Sequence, residues 1–312
     1  MDEQKDMLPQ ENEATRHTQK RSFLSKRMYY ILLIIFTGVF LLCAAYIGSY
    51  FWQTESAAQD YSDLEDIYLQ GDQQPSTPPP SGMPGINPST PQAPTMLPSL
   101  QQIYEMNNDT VGYLHFPNGP NVSYPVMQSP YDEDFYLYHK FDKTPNGDVP
   151  IGCPYVPLDC DVFTPSDNVI ITGHYLKSGG MFAPLAQYTD QAFWEKHQTF
   201  SFDTLYEKHT YQIFAVFKTA ALQFLKDGTP YGYPFHKKVH FDTPEEFDRF
   251  ILDVKGEAFD SGGYMGWSCI ETDIYPQYGD KLLCLYTCEY SIKDPYTNES
   301  DGRLVIMAVR ID

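Results

Sequence analysis

The chain is short of positive charge: 21 Lys and Arg stand against 41 Asp and Glu, a formal net charge of -20. Too few cations remain to neutralise a phosphate backbone, so a nucleic-acid partner is excluded, and the acidity reads as a solvated exterior. Its six cysteines, at 43, 153, 160, 269, 284 and 288, have no spacing that suits a zinc cluster. No metal and no organic cofactor is called for. No internal repeat is visible, and no small-residue cleavage site follows the apolar N-terminal run.

That apolar run is the first positive signal. Residues Met28 to Gln53 carry no Asp, Glu, Lys, Arg or His. At ~1.5 Å per residue, a helix of about 20 residues crosses a hydrocarbon core. Lys20, Arg21, Lys26 and Arg27 precede the run, and Glu55, Asp60, Asp63, Glu65 and Asp66 follow it. The positive flank is retained inside, so the expectation is a single-pass anchor with a cytoplasmic N-terminus and an exported remainder, with membrane lipid around the helix.

Composition then divides the chain into a cytoplasmic tail at 1–27, a transmembrane helix at 28–50, a proline-rich extracellular linker at 51–98 and a folded domain at 99–312. Gly71 to Pro98 holds nine prolines and has almost nothing to bury, which predicts an extended spacer. Asp60 to Gln70 reads as a helical turn or two. Cys43 lies in the anchor, which leaves an odd number of exported cysteines and so at least one thiol without an intramolecular disulfide. Cys153 and Cys160 either pair across their short loop or are separately buried.

Within the domain, Ser99–Asn107 reads as a short helix, and Val111–Phe116 with Val122–Met127 as a hairpin. Val169–Thr172, Thr210–Thr219, Leu282–Thr287 and Leu304–Ile311 read as strands, and Met181–Gln187 as a short helix. The strongest helix signal is Pro244 to about Glu257. Thr243 caps it, Pro244 suits its first position, Glu246 completes a capping box, and Phe247, Phe250, Ile251 and Val254 share one face. Short strands with Pro/Gly-rich connections and few helices predict a mostly β, twisted barrel.

Three residues in separate segments have complementary chemistry. Cys288 ends a strand-like run in which period two puts Cys284, Tyr286 and Cys288 on one face. Cys284 and Cys288 are then about 13 Å apart, too far to bridge. His174 follows Gly173 at the end of another apolar run, and Arg303 opens a third. A thiolate attacks an acyl carbon, an imidazole holds and delivers the proton, and a guanidinium donates to the oxyanion.

The blocks around these residues, Asn168-Val-Ile-Ile-Thr-Gly-His174, Cys284-Leu-Tyr-Thr-Cys288-Glu-Tyr290 and Arg303-Leu-Val-Ile306, resemble the three active-site blocks of sortases. The fit is best to the class B branch, and it runs in the same order from about Leu100 to the C-terminus. The resemblance implies an eight-stranded sortase-like β-barrel behind one transmembrane helix. It also implies a membrane-anchored cysteine transpeptidase of Gram-positive type, with Cys288 as nucleophile, His174 as general acid and base, and Arg303 at the oxyanion. Its partners are secreted proteins bearing a C-terminal sorting signal, whose acyl group passes through a thioester to an amine of a peptidoglycan precursor or a pilin lysine. Two other functions share these residues: an exported cysteine protease that releases its product to water, and a non-catalytic anchored binding module. Here Cys284 replaces the usual first threonine of the nucleophile block, and Ser291 to Gly302 is long for a class B connection. The substrate groove is expected along Leu222–Phe235 and the Pro244 helix, with Ser261–Tyr278 as a further contact region.

Overall fold

The computed structural model describes residues 26–73 and 94–312. The expected cytoplasmic tail and most of the proline-rich spacer lie outside the described residues. Contact clustering divides the chain into Met1–Ser49 and Tyr50–Asp312. A helix, α1 (Lys26–Asp72), begins in the first unit and ends in the second. In the first unit its apolar side chains are exposed, and among the described residues it is the one helix long and apolar enough to cross a membrane. This supports membrane anchoring through a single N-terminal helix.

The second unit starts ahead of the proline-rich segment because the last turns of α1 pack with it. Ala57, Tyr61, Leu64 and Tyr68 recur at intervals of four, three and four residues, which lines them up on one helix face, and all four are buried. Tyr61 donates its hydroxyl to the Gly152 carbonyl at 2.6 Å. Tyr68 donates to Asp203 Oδ2 at 2.9 Å and stacks on Tyr113 at 4.0 Å between ring centroids. The helix α2 (Pro98–Met106) adds Leu100 and Ile103 to the same apolar cluster.

Eight strands follow: β1 (Thr110–His115), β2 (Ser123–Met127), β3 (Asn168–Thr172), β4 (Thr199–Thr204), β5 (Thr210–Ala220), β6 (Gly266–Ser268), β7 (Leu282–Lys293) and β8 (Ser300–Arg310). They form one mixed sheet in the order β2-β1-β4-β5-β8-β7-β3, with β6 added to β5. Only β3 and β7 run parallel. The expected barrel is not what forms, for the sheet stays open between β2 and β3. Its two edges approach through the extended segment around Tyr155, which makes one isolated bridge to Met127 and one to Thr172. Pro145, Pro150, Pro154 and Pro157 punctuate that segment. Each removes a backbone donor, so no continuous ladder can cross the gap.

The hairpin, the central strands and α2 lie where the sequence puts them, within a few residues. β7 and β8 are longer than expected, and β4 and β6 were not anticipated. The 181–187 stretch winds as a 3₁₀ helix at Ala183–Thr189. The short helices α3 (Phe135–Tyr138) and α4 (Gln191–Trp194) complete the connections.

The helix at Pro244, here α5 (Pro244–Leu252), has the expected cap: Thr243 Oγ1 accepts the Glu246 amide at 3.2 Å. It loses α geometry at Asp253–Glu257, where Gly256 adopts φ 127°. A Cβ there would also stand 2.8 Å from Ser268 Oγ, so only glycine fits this break. Phe247, Phe250, Ile251 and Val254 are buried in the main core. All six cysteines are free, Cys153 and Cys160 both as buried side chains.

Candidate active site

Strand register pairs two of the candidate residues, and the third follows the end of the strand next to β7. Cys288 of β7 stands directly opposite Arg303 of β8 in the antiparallel ladder. On the other side of β7, the parallel ladder to β3 pairs Ile171 with Leu285 and Thr172 with Tyr286. It continues past the strand end: the Gly173 amide donates to the Tyr286 carbonyl at 3.3 Å, and Thr287 Oγ1 donates to the Gly173 carbonyl at 2.7 Å. His174 follows directly on Gly173, two residues past the end of β3. Gly173 is tightly enclosed, with a Cβ there only 3.1 Å from the Phe182 ring. All three residues are half-buried.

His174 Nε2 lies 2.8 Å from the Leu137 carbonyl oxygen just after α3's midpoint. A carbonyl cannot donate, so Nε2 carries the proton and Nδ1 is the basic nitrogen of the neutral ring. Burial lowers the imidazole's pKa below 6.5, and the Leu137 hydrogen bond only partly offsets this. The resting ring is therefore neutral near pH 7. Because the folded ring holds its proton less tightly than the unfolded one, unfolding takes up protons as the medium becomes acid. The stability that His174 contributes is full above about pH 6.5 and is lost as pH falls through the lowered folded value. His115 and His236 are shifted the same way by burial. The thermal midpoint should fall as the pH drops below about 6.5, and a His174→Gln variant should show a shallower fall. Equal slopes in the two proteins would show that His174 carries none of the dependence.

Arg303 Nη1 donates to the carbonyl of Gly302 at 2.9 Å, and among the described residues no carboxylate lies within 4 Å of the guanidinium. The nearest acid in sequence to the candidate nucleophile, Glu289, is engaged elsewhere: it pairs with Lys218 at 2.9 Å and accepts the amides of Ser291 and Ile292. Burial raises the Glu289 carboxyl, but its bonds to Ser291 and Lys218 outweigh that and hold it below the usual value. The charge of Arg303 reaches Tyr286 and His236, whose acidities it affects.

Next to Arg303 lies a cavity of about 230 Å³ lined by Ala220, Gln223, Tyr233, Phe235, His236 and Tyr286. The Leu222–Phe235 loop lines this cavity through Gln223, Tyr233 and Phe235, whereas no residue of α5 lines it. Within Ser261–Tyr278, β6 pairs with β5, and the following loop is pinned by Lys255 Nζ, which donates to Thr272 and to the Ile274 carbonyl. A larger cavity of about 360 Å³ lies between residues 54–65 and the 178–181 loop, and neither Cys288 nor Arg303 lines it. Of the three candidate residues only Arg303 lines the smaller cavity, and none lines the larger. Residues that the sequence reading missed are Leu137, acting through its backbone, and the Tyr175–Tyr290 ring pair beside Cys288, whose centroids are 5.2 Å apart.

The other thiols of the second unit are less suited to attack. Burial pushes Cys153 and Cys160 up to about 12, Cys269 up to about 11, and Cys284 well above the ordinary range. Among the described residues no cluster of His, Cys, Asp and Glu could hold a metal ion.

Among curated proteins, the chain is 26% identical to sortase B of Staphylococcus aureus over 211 residues, covering 68% of this chain and 74% of the relative. It is 24% identical to sortase B of Listeria monocytogenes over 286 residues, covering 92% and 96%. The chain is thus similar to class B sortases over most of its length. No protein-family model matches it. The fold agrees with a sortase B-substrate complex from Staphylococcus aureus at a TM-score of 0.61 and 21% identity, covering 83% of this chain and 98% of that one. Sortase B of B. anthracis aligns at a TM-score of 0.59 and 20% identity, covering 84% and 99%. This similarity supports enzymatic activity of the cysteine-transpeptidase kind in general.

Proposed function

We propose that this chain is a membrane-anchored cysteine transpeptidase that cleaves a C-terminal sorting signal of secreted proteins and passes the acyl group to an amine of a peptidoglycan precursor or a pilin lysine. Residues 99–312 form the catalytic domain, the 57–68 face of α1 braces it, and 51–98 link it to the anchor. The cationic N-terminal flank sets residues 1–27 in the cytoplasm and the catalytic domain outside.

In the proposed reaction, Cys288 Sγ attacks the scissile carbonyl carbon while its proton passes to Nδ1 of neutral His174. Arg303 donates to the oxygen as it becomes negative. The imidazolium then protonates the departing amine, leaving a thioester on Cys288. The incoming amine attacks that thioester, gives its proton to His174, and releases the thiol. Most support for this reading comes from the register that pairs Cys288 with Arg303 on one side of β7, with β3 running alongside β7 as far as Tyr286 on the other.

A transpeptidase and a hydrolase share every one of these groups, so the acceptor distinguishes them. With a panel of sorting-signal peptides, mass spectrometry should show an amide product that grows with added primary amine at the expense of the free acid. A product mixture that is all acid at every amine concentration would replace the transpeptidase reading with a hydrolytic one.

A further inference from the structure

The reaction above gives Asn146 no part, yet its side chain joins the two backbone segments that hold His174. Its Nδ2 donates to the Leu137 carbonyl at 3.1 Å, the oxygen that also accepts His174 Nε2–H at 2.8 Å. Its Oδ1 accepts the Gly152 amide at 3.0 Å. Gly152 lies against the imidazole itself: a Cβ built there would stand 2.9 Å from His174 Cδ2, and its φ of 57° is left-handed. The Asn146 backbone is held in turn, donating to the Tyr138 carbonyl at 2.8 Å. One planar carboxamide supplies a donor to one segment and an acceptor to the other, and a carbonyl oxygen has lone pairs enough for both of its donors.

We propose that Asn146 is a positioning residue for His174: it clamps the Leu137 carbonyl and the Gly152 backbone together, and so fixes the imidazole in its Nε2–H tautomer with Nδ1 as the basic nitrogen. This rests on His174 being the acid and base of the proposed reaction. Few other residue types can take the place of Asn146. Aspartate accepts but does not donate, and alanine does neither. The titratable side chains on the neighbouring elements are Tyr136, Tyr138, His139 and Cys153 on the Leu137 and Gly152 side, Tyr175 and Lys177 on the histidine's own loop, and Cys288 and Tyr290 on β7. The carboxylates Glu133, Asp134, Asp142 and Asp148 of the same connections do not set the ring's acidity, which follows burial and the Leu137 carbonyl.

The test uses the full chain in detergent. Asn146→Ala should lower kcat/KM by about 10- to 100-fold, the range seen when an outer hydrogen-bonding partner of a functional histidine is lost, mainly through kcat. Asn146→Asp keeps the acceptor for Gly152 and adds an anion, so the acid limb of its kcat/KM profile should move to higher pH. Histidine-selective ¹⁵N spectra, recorded on a Cys288→Ala background, should show a single Nε2–H tautomer for His174 with Asn146 present and a mixture in Asn146→Ala. Wild-type rates, acid limb and tautomer in both Asn146 variants would overturn the proposal. Should Asn146→Ala fail to fold, an unshifted acid limb in Asn146→Asp is itself enough to overturn it. Retained activity in His174→Ala would instead sink the catalytic assignment, so the two failures are distinguishable.

Discussion

A Cys288→Ala variant should form no acyl-enzyme and should lose at least about 10³-fold in turnover, because removing the nucleophile of a covalent mechanism disables the unit as a whole. Intact-protein mass spectrometry after mixing with a sorting-signal peptide reads this directly: the wild-type chain gains the acyl mass, and the variant does not. The result depends on which thiol is able to react. Cys153 and Cys160 are buried and pushed up to about 12, and Cys284 is buried in the core. Cys269 is half-buried like Cys288, its thiol is pushed up to about 11 by burial, and it serves as the control. Cys269→Ala should leave turnover unchanged. An adduct on the Cys288→Ala protein, or loss of the adduct in Cys269→Ala, would transfer the chemistry to another sulfur.

Much of this arrangement is legible in the sequence because its signals are local. The cap at Thr243, the apolar face of α5 and the strand segments Val169–Thr172 and Leu282–Thr287 follow from side-chain types at short spacing. The candidate triad is legible for the same reason, since each member sits at the end or start of a strand-like run. What escaped depends on pairing between distant segments. The missing closure between β2 and β3 is decided by prolines in a third segment, around Tyr155. The buried face of α1 sits among acids that look solvent-facing, and only the interval of Ala57, Tyr61, Leu64 and Tyr68 gave a sign of it. The Leu137 carbonyl is a backbone atom, so no residue type marks it as the partner of His174. Nor does sequence show that Lys218 draws Glu289 away from the arginine.

Arg303→Lys should lower kcat by about 10²- to 10³-fold, equivalent to ~2.7–4 kcal/mol, the loss typical of one oxyanion donor, with a smaller change in KM. Charge is conserved in this variant, so the prediction isolates geometry: lysine offers a single ammonium where arginine presents a planar fork of donors. Two features support the proposed role of the guanidinium as a donor to substrate. It stands directly opposite Cys288, and the neighbouring carboxylate of Glu289 is held by Lys218 and two backbone amides. If Arg303 served only to balance negative charge across the β7–β8 ladder, lysine would restore most of the rate. Pre-steady-state acylation kinetics separate the cases, because an oxyanion role slows thioester formation itself. Acylation by Arg303→Lys at the wild-type rate would remove the arginine from the reaction and leave it a structural cation.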